Sequence, residues 1–201
     1  MRNGLLLMRA GWLGGGRTVP GILGDDLSVV LQQVVGCFRR ARVLYVLIGA
    51  WALAVWGRPR ATVDVDFLVL VNEEDLNRLG SVMTRAGMDL DETWLDWNPI
   101  LRGYQLRFHY HSFTIDLLRP RDPHDQQIFQ QRRKKRMDGQ YYWVVAPEDF
   151  ILQKLKVGRP KDFEDALSIL EQLRDKLDLT YLEQWARKLG VREELDYIMA
   201  S

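Results

Sequence analysis

The stretch RATVDVDFLVLV, Arg60–Val71, has the Val, Leu and Phe content of a strand, yet it sets two aspartates, Asp64 and Asp66, at its start. Side chains at i and i+2 of a strand share a face, so these carboxylates stand side by side while Val63, Val65 and Phe67 turn the other way. Two like charges that close repel unless something positive lies between them. The pattern therefore predicts a cation.

Working outward, VLYVLIG, Val43–Gly49, reads as a buried strand that stops at Gly49, and AWALAVW, Ala50–Trp56, as a short helix. A strand-to-helix turn at Gly49 and Ala50 aims free backbone N–H groups and the positive end of a helix dipole at one spot, where a triphosphate can rest. On the other side, YQLRFHYHSFTIDLLR, Tyr104–Arg119, alternates polar and apolar residues as one or two strands do, and it carries Asp116 between Ile115 and Leu117. A third carboxylate thus arrives on a hydrophobic strand.

Carboxylates on neighbouring strands suit a hard divalent cation such as Mg²⁺, which takes oxygen ligands and keeps positions for water and substrate phosphates. With two ions bound, the attacking and leaving oxygens of an in-line displacement at phosphorus are both stabilised. In that reading Asp64 and Asp66 hold the metal that grips the triphosphate, and Asp116 completes the second site and helps deprotonate an acceptor hydroxyl. An isolated Asp-x-Asp fits exposed strand-end aspartates as well; Gly49 before it and Asp116 after it favour the metal site.

The remaining chain supplies helices. LSVVLQQVVGCFRRA, opened by Asp25 or Asp26, repeats apolar positions at helical spacing. NEEDLNRLGSVMTRAG reads as a surface helix capped by Asn72 and closed near Gly87, and MDLDETWLDWNPILRG as a less regular part. After QQRRKKRM, YYWVVA is a short strand. From Pro147 the chain reads as all helical: Pro147 at a first helical position, Gly158 as a stop, a second helix near Pro160, a third opened by the Thr180 and Glu183 capping-box spacing and stopped at Gly190, and a fourth over REELDYIM. The expected fold is α/β (α+β), a mixed sheet flanked by helices. Its divisions are an irregular arm over 1–24, a core over 25–145 and a C-terminal helical annex over 146–201.

The string VLIGAWALAVWGRPRATVDVDFLV, then FTIDLL, then VVAPEDFILQKLKVGRPKDFEDA, resembles the AbiEii-type nucleotidyltransferases, relatives of the minimal nucleotidyltransferases of the DNA polymerase β superfamily. The likeness spans roughly Val43 to Ala166 and keeps several motifs in order. It implies a core of the nucleotidyltransferase type and transfer of a nucleotide from an NTP to a hydroxyl acceptor, with Mg²⁺ or Mn²⁺ held by Asp64, Asp66 and Asp116. It also implies nucleotide contacts through Gly49, Ala50, Arg60, Thr62 and Lys154, and an active-site motif completed by Arg159, Lys161, Asp162 and Asp165. Members of the group include toxins of toxin-antitoxin pairs, some acting on tRNA, so the implied partners are an NTP, a tRNA or protein acceptor and a cognate antitoxin. Where many members carry a second Gly or a Ser after the turn glycine, this chain has Ala50, so only the backbone contact to phosphate remains. The alternative is a non-catalytic relative that binds nucleotide, RNA or a partner protein.

Composition sets few further limits. Of the 201 residues, 47% are hydrophobic and 27% charged, with a net charge of +1, so a polyanionic partner would need a local basic patch. One such patch is RRKKR, Arg132–Arg136, with Tyr141, Tyr142 and Trp143 close by to stack a base; a solvated face is the plainer reading. Lone Cys37 forms no internal disulfide and reads as a buried hydrophobe in a reducing cytoplasm. The apolar run Val43–Gly57 is too short for a membrane span, and the N-terminal LLLM carries no convincing export signal. His109 and His111 alternate on one strand with no third nitrogen or sulfur ligand nearby, which favours structural roles. Lys154 also fits the polar edge of a helix, and Asp162 with Asp165 a surface ion-pair network.

Overall fold

The structure, a computed structural model, describes residues 25–200; the expected N-terminal arm lies outside the described residues. Helix α1, Asp25–Ala41, leads into strand β1, Leu44–Ile48, helix α2, Gly49–Trp56, and strand β2, Asp64–Leu70. Helix α3, Glu73–Arg85, follows, then strand β3, Asp89–Leu90, helix α4, Glu92–Trp97, and the hairpin of β4, Gln105–Tyr110, and β5, Phe113–Leu118. Next come helix α5, Pro123–Gln131, the hairpin of β6, Arg133–Met137, and β7, Gln140–Val144, and then helices α6, Pro147–Val157, α7, Pro160–Leu173, α8, Leu179–Leu189, and α9, Arg192–Ala200.

The strands form one mixed sheet in the order β3-β4-β5-β2-β1-β7-β6. Strand β1 runs antiparallel to β2 and parallel to β7, while β2 and β5 run parallel, so both acidic strands present the same end to the same edge of the sheet. Apolar residues of α1 at helical spacing, Leu27, Val30, Leu31, Val34 and Phe38, are fully buried. Phe38 packs 5.1 Å from both the Tyr45 and the Phe67 ring, which ties α1 to the two central strands. Cys37 is buried in this layer, as its apolar surroundings led one to expect, and burial raises its thiol pKa.

The C-terminal helices are joined to the sheet through α2. The backbone N–H of Arg58 donates to Ser168 Oγ of α7 at 2.6 Å, and a Cβ on Gly57 would crowd the same hydroxyl. Trp56 Nε1 donates to the carbonyl of Val145 at 2.8 Å, fixing the end of α2 to the exit of β7.

Several local expectations hold. Asn72 caps α3 by accepting from Asp75 N, Pro147 opens α6, and Gly158 and Gly190 close α6 and α8 in the left-handed conformation. Others differ. The irregular stretch before β4 contains α4, because Asp91 accepts from Trp94 N and caps it. The segment after Asp122 forms α5, capped by Asp122 and opened by Pro123. The basic run lies mostly in a strand, β6, and Tyr142 is core, only 2% exposed. Helix α8 starts two residues before the expected capping box: Asp178 accepts from Tyr181 N at 2.9 Å and leaves Thr180 inside the helix. Asp178→Ala should therefore cost about 1 kcal/mol in urea unfolding, whereas Thr180→Ala should change stability by no more than about 0.5 kcal/mol.

Candidate active site

Strand register assembles the acidic residues. Asp66 pairs with Ile48 of β1 on one side and with Asp116 of β5 on the other, and Asp116 pairs in turn with Arg107 of β4. Directly opposed residues share a face, so Ile48, Asp66, Asp116 and Arg107 form one row across four strands. Asp64 stands two residues before Asp66, at the first position of β2, where its N–H donates to Thr62 Oγ1 at 3.0 Å. Strand register thus brings Asp64, Asp66 and Asp116 to one part of the sheet, and Thr62 turns the chain into β2 there.

The row is electrostatically strained at its centre. Burial together with the charges of Asp116 and Asp64 pushes the Asp66 pKa up to about 7, against the opposing pull of Lys154 and Arg107. Asp116 is buried and clamped by Arg107, whose Nε and Nη2 donate to its two oxygens at 2.8 and 2.7 Å. Each carboxylate oxygen has a second lone pair, so this clamp orients Asp116 and leaves acceptor capacity. The Arg107 guanidinium is held in turn 4.3 Å from the Trp94 ring.

Gly49 makes the close approach possible. Its φ is +66°, and a Cβ there would overlap the Asp66 carboxylate. Any other residue would be strained by conformation and would displace the acid. The N-terminus of α2 has no side-chain cap and no acidic residue in its first turn, so the N–H groups around Gly49 and Ala50 remain available to an anion beside the aspartates.

The residues of the GRPKDFEDA segment form a second layer. Lys154 is buried on α6 and donates to Asp162 Oδ1 at 3.0 Å and Asp165 Oδ2 at 2.7 Å. Asp162, with no exposed surface, also accepts from Arg159 Nε at 2.6 Å, and Asp165 pairs with Arg60 Nε at 3.4 Å. The two acids therefore form a buried network rather than a surface one. Lys154 reaches the aspartate row by its field, lowering the Asp66 pKa, while Arg60, Arg159 and Lys161 are exposed.

Oxygen donors alone make up the triad, which fits a hard divalent cation, and the raised Asp66 pKa marks a site that gains from added positive charge. Among the described residues, the group of three side chains whose ligand atoms all lie within 4.8 Å of one another is instead Asp122, His124 and Asp125. Lys156 already fills that group, 2.5 Å from Asp122 and 3.3 Å from Asp125, and buried His124 turns to Asp149 at 3.1 Å. It is a capped and neutralised helix start. His109 pairs with Asp91 at 2.9 Å and His111 sits in the β4–β5 turn with φ +53°, so the two imidazoles serve structure. A cleft of about 600 Å³ between α7 and α9 is lined by none of the site aspartates.

Arg107 was not foreseen. The signal was present: His111 and Ser112 form a two-residue hairpin loop, which pairs Tyr110 with Phe113 and, three steps back, Arg107 with Asp116.

Sheet, glycine turn and acidic row together define a protein of the nucleotidyltransferase class. The model of the family described as "Nucleotidyltransferase of unknown function (DUF6036)" matches residues 27–198, and the chain belongs to this family. The chain is similar in structure to ANT(2'')-Ia in complex with adenylyl-2''-tobramycin, with a TM-score of 0.56 at 13% identity, covering 84% of this chain and 99% of that one. A solution structure of ANT(2'')-Ia gives 0.51 at 14% identity, covering 88% and 95%. The lincomycin-bound lincosamide antibiotic adenylyltransferase LnuA gives 0.49 at 13% identity, covering 69% and 93%. At such identities the likeness to ANT(2'')-Ia establishes the fold. No curated protein matches the chain in sequence. Among the described residues no helix is long and apolar enough to cross a membrane.

The raised Asp66 pKa has a consequence for stability. A carboxyl that binds its proton more tightly when folded contributes stability below its unfolded pKa, near 3.8, and loses it as pH rises through about 7. In chelator, Asp66→Asn should melt above the wild type at pH 8, and the gap should close toward pH 4. An equal gap at both values would remove the charge crowding from the account.

Proposed function

We propose that the protein is a Mg²⁺- or Mn²⁺-dependent nucleotidyltransferase that moves a nucleoside monophosphate from an NTP to a hydroxyl acceptor on tRNA or protein. The observation that carries this reading is the row in which Asp66 lies against Gly49 on one side and Asp116 on the other, with Asp64 two residues away. The ancestry we favour is the AbiEii-type group, with a toxin role and a cognate antitoxin, on the motifs from Gly49 to Asp165; the setting is the cytoplasm.

Asp64, Asp66 and Asp116 would hold the metal, which supplies charge neutralisation at the phosphates and at the attacking and leaving oxygens. The chain's own residues do the rest. Backbone N–H groups at Gly49 and Ala50 would cradle phosphate oxygens, and Arg60, Arg159 and Lys161 would add nucleotide contacts. Lys154 holds α7 against α6 and offsets the acidic row, and Arg107 fixes the orientation of Asp116. In the reaction an acceptor hydroxyl oxygen bonds to the α-phosphorus, its bond to the pyrophosphate oxygen breaks, pyrophosphate leaves and the hydroxyl proton passes to water. Such a step needs positioning and electrostatic stabilisation more than covalent help from the protein.

The test is transfer of label from each α-labelled NTP, with Mg²⁺, into a mixture of total tRNA and cell protein. Wild type should label one fraction, and Asp64→Asn, Asp66→Asn and Gly49→Ala should each lower the rate about a hundredfold or more while circular dichroism stays native. Full activity in either aspartate variant would refute the metal assignment. Nucleotide binding with no transfer to any fraction would instead support the non-catalytic relative.

A further inference from the structure

The basic run Arg132–Arg136 takes no part in the site above. It lies along β6, the edge strand, which pairs with β7 so that Lys134 opposes Trp143 and Arg136 opposes Tyr141. These four side chains share one face. Arg132 joins them, its guanidinium 4.6 Å from the Trp143 ring centre, and the Lys134 ammonium lies 4.8 Å from that of Tyr141. Arg133, Lys134 and Arg136 are exposed, and Tyr141 is 51% exposed although it is a large aromatic residue. Beside them runs a cleft of about 410 Å³ whose lining includes Arg39, Lys134, Tyr141 and Trp143.

The charge on this strand is concentrated. Five consecutive cations, Arg132 to Arg136, stand here in a chain whose net charge is only +1. Protecting an edge strand against aggregation calls for charge alone. Cations interleaved with accessible aromatic rings are the pattern that tracks a phosphate backbone and stacks its bases.

We propose that the β6–β7 ribbon binds single-stranded RNA, with phosphates along Arg39, Arg132, Lys134 and Arg136 and a base on Tyr141. Val144 pairs with both Arg133 and Leu47, and Leu47 lies two residues before Gly49, so the Arg133 end of the ribbon is level with the acidic row. Three strand spacings separate β6 from β2, roughly 14 Å in all, which places the end of a bound strand within a few nucleotides of Asp66. That this RNA presents the acceptor hydroxyl rests on the transferase reading; the binding does not.

The experiment is fluorescence anisotropy of a labelled oligouridine with the full chain, without NTP, across a salt series. Wild type should bind with log K falling linearly against log salt at a slope of about −3, the value for four phosphate contacts on a single strand. Lys134→Glu with Arg136→Glu should lose more than about tenfold, and the neutral pair Lys134→Gln with Arg136→Gln should lose less but flatten the slope. Tyr141→Ala should lose about five- to tenfold with the slope unchanged. Asp66→Asn should bind as wild type does, which separates this result from any failure of transfer. Absence of wild-type binding, wild-type affinity in folded charge or Tyr141 variants, or tighter binding of the matching deoxyoligonucleotide would each overturn the proposal.

Discussion

The repulsion among Asp64, Asp66 and Asp116 is the constraint around which the molecule is arranged. Parallel pairing of β2 with β5 forces Asp66 and Asp116 opposite one another, and the left-handed turn at Gly49 presses against the same carboxylate. Burial first, and then the charges of Asp116 and Asp64, push the Asp66 pKa up to about 7. A folded protein keeps so unfavourable a grouping when the arrangement serves a ligand. Arg107 relieves one flank through Asp116, and Lys154 relieves the other at longer range.

The C-terminal helices complete this arrangement. Lys154 of α6 would be an expensive buried cation by itself, but Asp162 and Asp165 of α7 neutralise it, and these acids are tied to Arg159 and Arg60. Arg60 belongs to the loop that leads into β2. The network therefore links the annex to the strand that carries Asp64 and Asp66, and the hydrogen bond from Arg58 N to Ser168 Oγ adds a second tie at the same loop. Motif residues far apart in the chain act as one support for the acidic row.

Much of this was legible in the chain because it rests on local rules. Period-two alternation placed Asp64 and Asp66 on one face, a glycine at a strand end marked the turn beneath them, and Asn72, Pro147, Gly158 and Gly190 marked helix ends. What escaped depends on pairing between segments. Arg107 meets Asp116 only through hairpin register, and Asp162 and Asp165 are buried rather than solvated only because α6 offers Lys154 across the helix pair. Helices α4 and α5 are short and polar, with weak apolar periodicity, so their Asp91 and Asp122 caps were the stronger signals. The basic run adopts a strand because β7 supplies the aromatic partners Tyr141 and Trp143 across the hairpin.

The most direct measurement is Mn²⁺ binding to the nucleotide-free protein, followed by paramagnetic resonance and by the accompanying shift in melting temperature at pH 8. Binding should be saturable, should raise the melting temperature of the wild type and should be lost in Asp66→Asn, because the cation relieves the charge that Asp66 concentrates. Binding that persists unchanged in Asp66→Asn, or a wild type indifferent to the ion, would contradict a cation site built on this row.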